Sequence, residues 1–228
     1  MARKLKHFYK PHKRCMSNIM KRRLFLSTLV LAGLFARLAV AGGPEHDKVY
    51  KVGDRVANFT LRNVNGKDVS LDNYATEKGL IVVFTCNHCP FSKMYEDRII
   101  ALHQKFASKG FPVVAINPND AKKQPEDSFV EMQKRAGEKA FPFAYLHDEK
   151  QAVARTFGAA RTPHVFILSR EGKEFVLQYI GAIDDNANEP TEVRNAYVEQ
   201  AIDKLSQGQK PAPATTKAIG CTIKWREV

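Results

Sequence analysis

Six consecutive residues, Leu80-Ile81-Val82-Val83-Phe84-Thr85, run straight into Cys86-Asn87-His88-Cys89-Pro90, and a helical pattern starts near Phe91. A continuous apolar run of that length suits a central strand buried on both faces. A strand that ends in two thiols at the start of a helix can close a small disulfide. The positive end of the helix also favours a thiolate on the first cysteine, so Cys86 is expected at an exposed helix N-terminus, ionising near neutral pH. Cys89 is expected one turn further in and more buried. The junction is therefore read as a redox reagent, with Cys86–Cys89 as its redox-active disulfide and no other cofactor.

The formal net charge of +12 invites a nucleic-acid reading, but its placement argues against one. Residues 1–41 hold ten of the 36 Lys and Arg residues and no Asp or Glu, which leaves 26 basic against 24 acidic residues beyond them. No nucleic-acid partner is expected. Met20-Lys21-Arg22-Arg23 followed by the apolar stretch Leu24 to Phe35 and by Ala39-Val40-Ala41 has the form of an export signal, with cleavage expected after Ala41. Arg22-Arg23-Leu24-Phe25-Leu26 resembles a twin-arginine signal, and the general secretory route fits as well. Met20 opens a well-proportioned signal by itself, so residues 1–19 read either as a mis-called start, with Met20 the true one, or as an unusual extension. The expected location is periplasmic or otherwise exported, with a membrane contact only through an uncleaved signal segment.

Of the four cysteines, Cys15 lies in the presequence. Cys86, Cys89 and Cys221 remain, an odd number for an oxidising compartment, which suits a redox pair plus one further cysteine better than a disulfide framework. A zinc site is the alternative; it needs Cys221 and either His147 or His164 to converge on the pair.

Asn65-Gly66 between Asn58–Leu61 and Asp68–Leu71 is a strong hairpin signal. Further strands are expected at Pro112–Asn117 and Phe143–Leu146, and Val165–Leu168 and Phe175–Ile180 form a hairpin about Glu171-Gly172-Lys173. Helices are expected over Phe91–Ser108, Glu126–Lys139, Gln151–Phe157 and Pro190–Ser206. Two parallel crossovers followed by a hairpin and a closing helix give an α/β fold with a mixed central sheet flanked by helices. The expected organisation is a presequence over 1–41, one domain over 42–207 and a tail over 208–228.

With a dithiol after the first long strand, this order resembles the thioredoxin-like fold in its peroxiredoxin-like branch. Cys-Asn-His-Cys-Pro, Thr162-Pro163, Ile183-Asp184-Asp185-Asn186 and Gly220-Cys221-Thr222-Ile223-Lys224-Trp225 together resemble redoxins of the alkyl hydroperoxide reductase/thiol-specific antioxidant superfamily. Asn119-Asp120, Pro125 to Phe129 and Tyr145 to Glu149 fit the same pattern, from about Val52 to the C-terminus. The resemblance implies that Thr162-Pro163 is a cis peptide beside the dithiol and that the residue before the proline pairs with a substrate chain. It also implies that Cys86 attacks a disulfide and Cys89 resolves the mixed disulfide, with His88 favouring the Cys86 thiolate.

The departures concern mechanism. Peroxidases of the superfamily place a threonine or serine three residues before the peroxidatic cysteine and a proline seven before; here those positions are Val83 and Gly79. Leu80 stands where thioredoxins bury a proton-relaying aspartate, so water or Glu96 would have to serve Cys89. The expected function is a thiol–disulfide oxidoreductase acting on protein or small-molecule thiols and disulfides, with an electron donor the sequence does not identify. A thiol-dependent peroxidase and a metal-binding, non-enzymatic protein are the alternatives. Cys221 has three readings, an inert cysteine in a docked tail, a third redox thiol, or an intermolecular link; docking through Ile223 and Trp225 is the favoured one.

Overall fold

A computed structural model describes residues 49–227. The expectations for the presequence, for Met20, Ala41 and Cys15, lie outside these residues. Among them no helix is long and apolar enough to cross a membrane.

Strands β1 (Arg55–Val56), β2 (Thr60–Asn63) and β3 (Asp68–Ser70) lead to β4 (Gly79–Phe84), followed by helix α1 (Pro90–Phe106) and strand β5 (Val113–Asn117). Then come a 3-10 turn at Pro125–Asp127, α2 (Phe129–Glu138), β6 (Ala144–His147) and α3 (Ala152–Phe157). The chain closes with β7 (Arg161–Thr162), β8 (His164–Glu171), β9 (Glu174–Gly181), α4 (Tyr197–Ser206) and β10 (Cys221–Thr222). Eight strands form one mixed sheet in the order β1-β9-β8-β4-β5-β6-β2-β3, and β10 pairs with β7 in a separate two-stranded ladder.

The thioredoxin-like α/β architecture anticipated above is present, and its cause is visible in β4. Leu80, Ile81, Val82, Val83 and Phe84 have no exposed surface. Alternation sends Leu80, Val82 and Phe84 into one apolar layer with Ile116, Phe157 and Phe166. Ile81 and Val83 enter the opposite layer with Tyr95, Ile99, Phe106 and Ile202. Each such side chain contributes about 1.5–3 kcal/mol by leaving water, so β4 is fixed at the centre of the sheet. It runs parallel to β5 and antiparallel to β8. The Asn65-Gly66 hairpin forms as expected, with Leu61 opposite Val69 and Gly66 at φ +84°.

Two helix starts are corrected. The second helix begins at Phe129 behind Ser128, whose hydroxyl accepts the Glu131 amide at 3.5 Å. The last begins at Tyr197 instead of Pro190, because side chains capture the intervening backbone: Glu189 takes the Thr191 amide and Asp185 the Arg194 amide. Short polar side chains of this kind offer the backbone an alternative to helix.

The tail packs on the domain as a strap. Ala214 and Thr216 exchange backbone hydrogen bonds with Ile180, and Ile223 is buried in the core. Trp225 packs partly buried at the same layer, beneath the Arg155 guanidinium at 4.5 Å.

Candidate active site

The site lies at the carboxyl ends of the parallel strands, where open α/β sheets bind their ligands. Strand β4 delivers Cys86, and Cys89 is the N-cap of α1 with Pro90 in its first turn, a position where proline's missing amide costs nothing. The register of β8 against β4 pairs Phe84 with His164, which places Pro163 and Thr162 beside the cysteines. The Thr162-Pro163 peptide is cis, as the resemblance implied.

Thr162 touches both sulfurs. Its Oγ1 is 3.1 Å from Cys86 Sγ, and its carbonyl oxygen is 3.3 Å from Cys89 Sγ. Ser92 Oγ lies 3.7 Å from Cys86 Sγ. Three sequence-based expectations change here. First, Cys86 is not exposed; it is 2% accessible. Second, its thiol is pushed up instead of down, by burial and then by the Asp127 carboxylate, against opposing hydrogen bonds from Thr162, the Cys89 amide and Ser92. Third, Cys86 is free and Cys89 is bonded to Cys221, 132 residues away with Cα atoms 6.1 Å apart, where a Cys86–Cys89 disulfide was expected. The reason is the strap: β10 lies antiparallel to β7 with Cys221 directly opposite Thr162, which aims its sulfur at Cys89. Arg161 donates to the Gly220 carbonyl at 2.9 Å, and the Ile223 amide donates to Ala160, holding that register.

His88 Nδ1 sits 3.5 Å from Cys86 Sγ but 2.6 Å from Asp127 Oδ2. An ionised carboxylate only accepts, so in the 2.6 Å contact with Asp127 the His88 Nδ1–H is the donor. Asp127 was not singled out from sequence, yet it organises the loop. Its Oδ1 accepts the Asn87 amide at 2.6 Å and its Oδ2 accepts from Asn119 at 2.7 Å, with no surface exposed. Tyr145 donates to Asn87 Oδ1 at 2.9 Å. The only signal in the sequence was the Pro125-Glu126-Asp127-Ser128-Phe129 match, which carried no role.

Cys86, His88 and Asp127 each bring one donor atom within 4.8 Å of the other two, a set that a metal ion could share. Their spacing suits a hydrogen bond between His88 and Asp127. Of the zinc set weighed above, Cys221 is bonded to Cys89 and His164 Nδ1 accepts the Ala160 amide. Glu96 is buried and held by Arg135 through two hydrogen bonds, one of 2.7 Å from Nε, so it is a paired structural acid. Asp184 accepts from Tyr95 and Arg98 at 2.7 Å each and pins the loop after β9 to α1.

Comparison with known proteins is consistent with this geometry. Residues 52–174 match the AhpC/TSA family. The crystal structure of an uncharacterized conserved protein from Geobacillus kaustophilus is 37% identical, with a TM-score of 0.71 over 79% of this chain and 95% of its own. A hypothetical protein from Sinorhizobium meliloti is 31% identical, with a TM-score of 0.72 over 79% and 98%. A candidate thioredoxin from Neisseria meningitidis, 22% identical over 68% of this chain and 91% of its own, shares the fold with a TM-score of 0.50. No curated protein matches the chain.

Proposed function

The chain belongs to the AhpC/TSA family of thioredoxin-like redoxins, and from that membership we propose that it is a thiol–disulfide oxidoreductase with Cys86 as nucleophile and Cys89 as resolving thiol. The reading rests on one observation: both sulfurs of the Cys-x-x-Cys pair lie against Thr162, next to the cis peptide. In the reduced protein the Cys86 thiolate attacks one sulfur of a substrate disulfide and expels the other as a thiolate. The Cys89 thiolate then attacks Cys86 Sγ of the mixed disulfide and releases the second substrate thiol. The substrate disulfide gains two electrons, and the protein is left with Cys86–Cys89 oxidised. The Thr162 hydroxyl stabilises the Cys86 thiolate by donating to it, a contribution that charge-assisted hydrogen bonds make strong. Substrates are protein or small-molecule disulfides and thiols, the electron donor is a thiol or dithiol, and cysteine sulfur is the only redox group. Export through the 1–41 presequence would place this chemistry in the periplasm or outside the cell.

The test is reduction of a disulfide such as glutathione disulfide by the pre-reduced protein. One disulfide consumed per protein by the Cys221→Ser variant, abolished when Cys86→Ser is added to it, supports the proposal; equal consumption by the double variant overturns it. A peroxidase reading has one observation in its favour, the Thr162 hydroxyl supplied from β7 where Val83 leaves the usual position without one. Cys86 would then pass its electrons to a hydroperoxide, forming a sulfenic acid and releasing the alcohol or water. Rapid single-turnover oxidation of reduced protein by hydrogen peroxide, faster than its reaction with disulfides, would make that reading the better one.

A further inference from the structure

Resting on the oxidoreductase reading, the geometry points to a three-cysteine relay in which Cys89 is the pivot and Cys221, carried by the C-terminal strap, is the sulfur that exchanges with the electron donor.

Three observations converge. The disulfide in the structure joins the resolving cysteine to the strap and leaves the nucleophile free. Of the three cysteines among the described residues, Cys221 is partly exposed, whereas Cys86 and Cys89 are 2% and 0% accessible. And β10 occupies the backbone of β7 at Thr162, the pairing position expected of a substrate chain; Cys221 stands opposite Thr162. The strap therefore takes the place of substrate, and a polypeptide cannot pair there until it leaves.

The steps balance. Turnover on substrate leaves Cys86–Cys89. The Cys221 thiolate attacks Cys89 Sγ; the Cys89–Cys221 bond forms, the Cys86–Cys89 bond breaks, and Cys86 departs as a thiolate, with no net oxidation. This is the state seen in the structure. A donor thiolate then attacks Sγ of the partly exposed Cys221 and expels Cys89 as a thiolate. A second donor thiolate resolves the mixed disulfide, so two donor thiols become one disulfide and all three cysteines are reduced. Ile223 in the core and the Lys224 amide bonded to Asn119 Oδ1 at 2.8 Å anchor the segment after Cys221, so the strap returns to β7 once substrate has left.

The experiment is disulfide turnover with excess dithiothreitol as donor, in the full chain and in Cys221→Ser. Cys221→Ser is expected to consume one disulfide in a first turnover, then to turn over about tenfold or more slowly, since the donor must reach a buried Cys86–Cys89 bond. Unchanged steady-state turnover in Cys221→Ser overturns the relay while leaving the function above intact; loss of the first turnover when Cys86→Ser is added to Cys221→Ser is the separate test of that function. A measurement on the unmodified chain guards against a variant that loses its fold. Acid quenching and mass mapping after one equivalent of disulfide should show Cys86–Cys89 first and Cys89–Cys221 later. If Cys89–Cys221 stays closed throughout turnover, or Cys86–Cys89 persists without converting, the relay is wrong.

Discussion

Gly220 packs against Thr162 so tightly that a β-carbon on it would overlap the Thr162 carbonyl group and stand 3.0 Å from Pro163 N. These are backbone atoms of the cis-proline segment, which cannot swing aside as a side chain could. Gly220→Ala is therefore expected to lift β10 off β7, at about 1–3 kcal/mol as for other overpacked positions. The Cys89–Cys221 fraction in oxidised protein should fall, read by mapping under non-reducing conditions. Ile219→Ala, at a neighbouring exposed side chain, is the control and should leave that fraction unchanged. Equal disulfide fractions in the two variants would show that the register does not depend on this contact.

Asp127 works against ionisation of Cys86 while holding the loop around it. Asp127→Asn removes the negative charge, so the Cys86 thiol should titrate at lower pH, seen as an earlier rise of thiolate absorbance in a pH titration. The same change weakens hydrogen bonds to a buried carboxylate, and unfolding should be easier by about 1–3 kcal/mol. An unmoved thiolate titration would mean that the Asp127 charge does not act on this thiol.

The strand and helix order was legible because burial in this sheet is written locally. Leu80 to Phe84 offers no polar face, and Asn65-Gly66 admits one kind of turn. Thr162-Pro163 could be placed because it directly precedes an apolar run that pairs with β4. The disulfide could not be read in the same way. Cys86 and Cys89 are neighbours in sequence, but Cys221 reaches Cys89 across 132 residues through a ladder two residues long. Asp127 was equally silent, since an acid after a proline looks like a turn residue until Asn87 and Asn119 close around it. The late start of α4 has a similar origin in Asp185 and Glu189, whose side chains compete with the helix for backbone amides.

Glu96 and Arg135 form a pair that holds α2 to α1. Glu96 is 5% exposed, and apart from Arg135 its nearest cation is Lys139 at 3.6 Å. Arg135→Leu leaves a buried carboxylate short of its main partner and should cost on the order of 3 kcal/mol in chemical denaturation. Adding Glu96→Leu to that variant should restore much of the loss. With its carboxylate committed to Arg135, Glu96 is not expected to accept the Cys89 proton, so Glu96→Gln should keep the rate of disulfide reduction. A large loss of rate in a folded Glu96→Gln protein would return Glu96 to the mechanism.

His164 gives the fold a dependence on acid. It follows Pro163, is 9% exposed, packs on Phe166 at 4.6 Å between ring centroids and accepts the Ala160 amide through Nδ1. Burial, and then the Arg161 charge, lower its pKa from 6.5 to about 4. The unfolded chain therefore binds a proton that the folded chain refuses between those values. Stability is complete above the unfolded value and is lost as pH falls toward 4, by roughly 2 kcal/mol at pH 5 from this residue. Urea unfolding at pH 7 and pH 5 should show that loss, and His164→Gln, which cannot titrate, should show correspondingly less. Parallel losses in the two proteins would move the acid dependence to other groups.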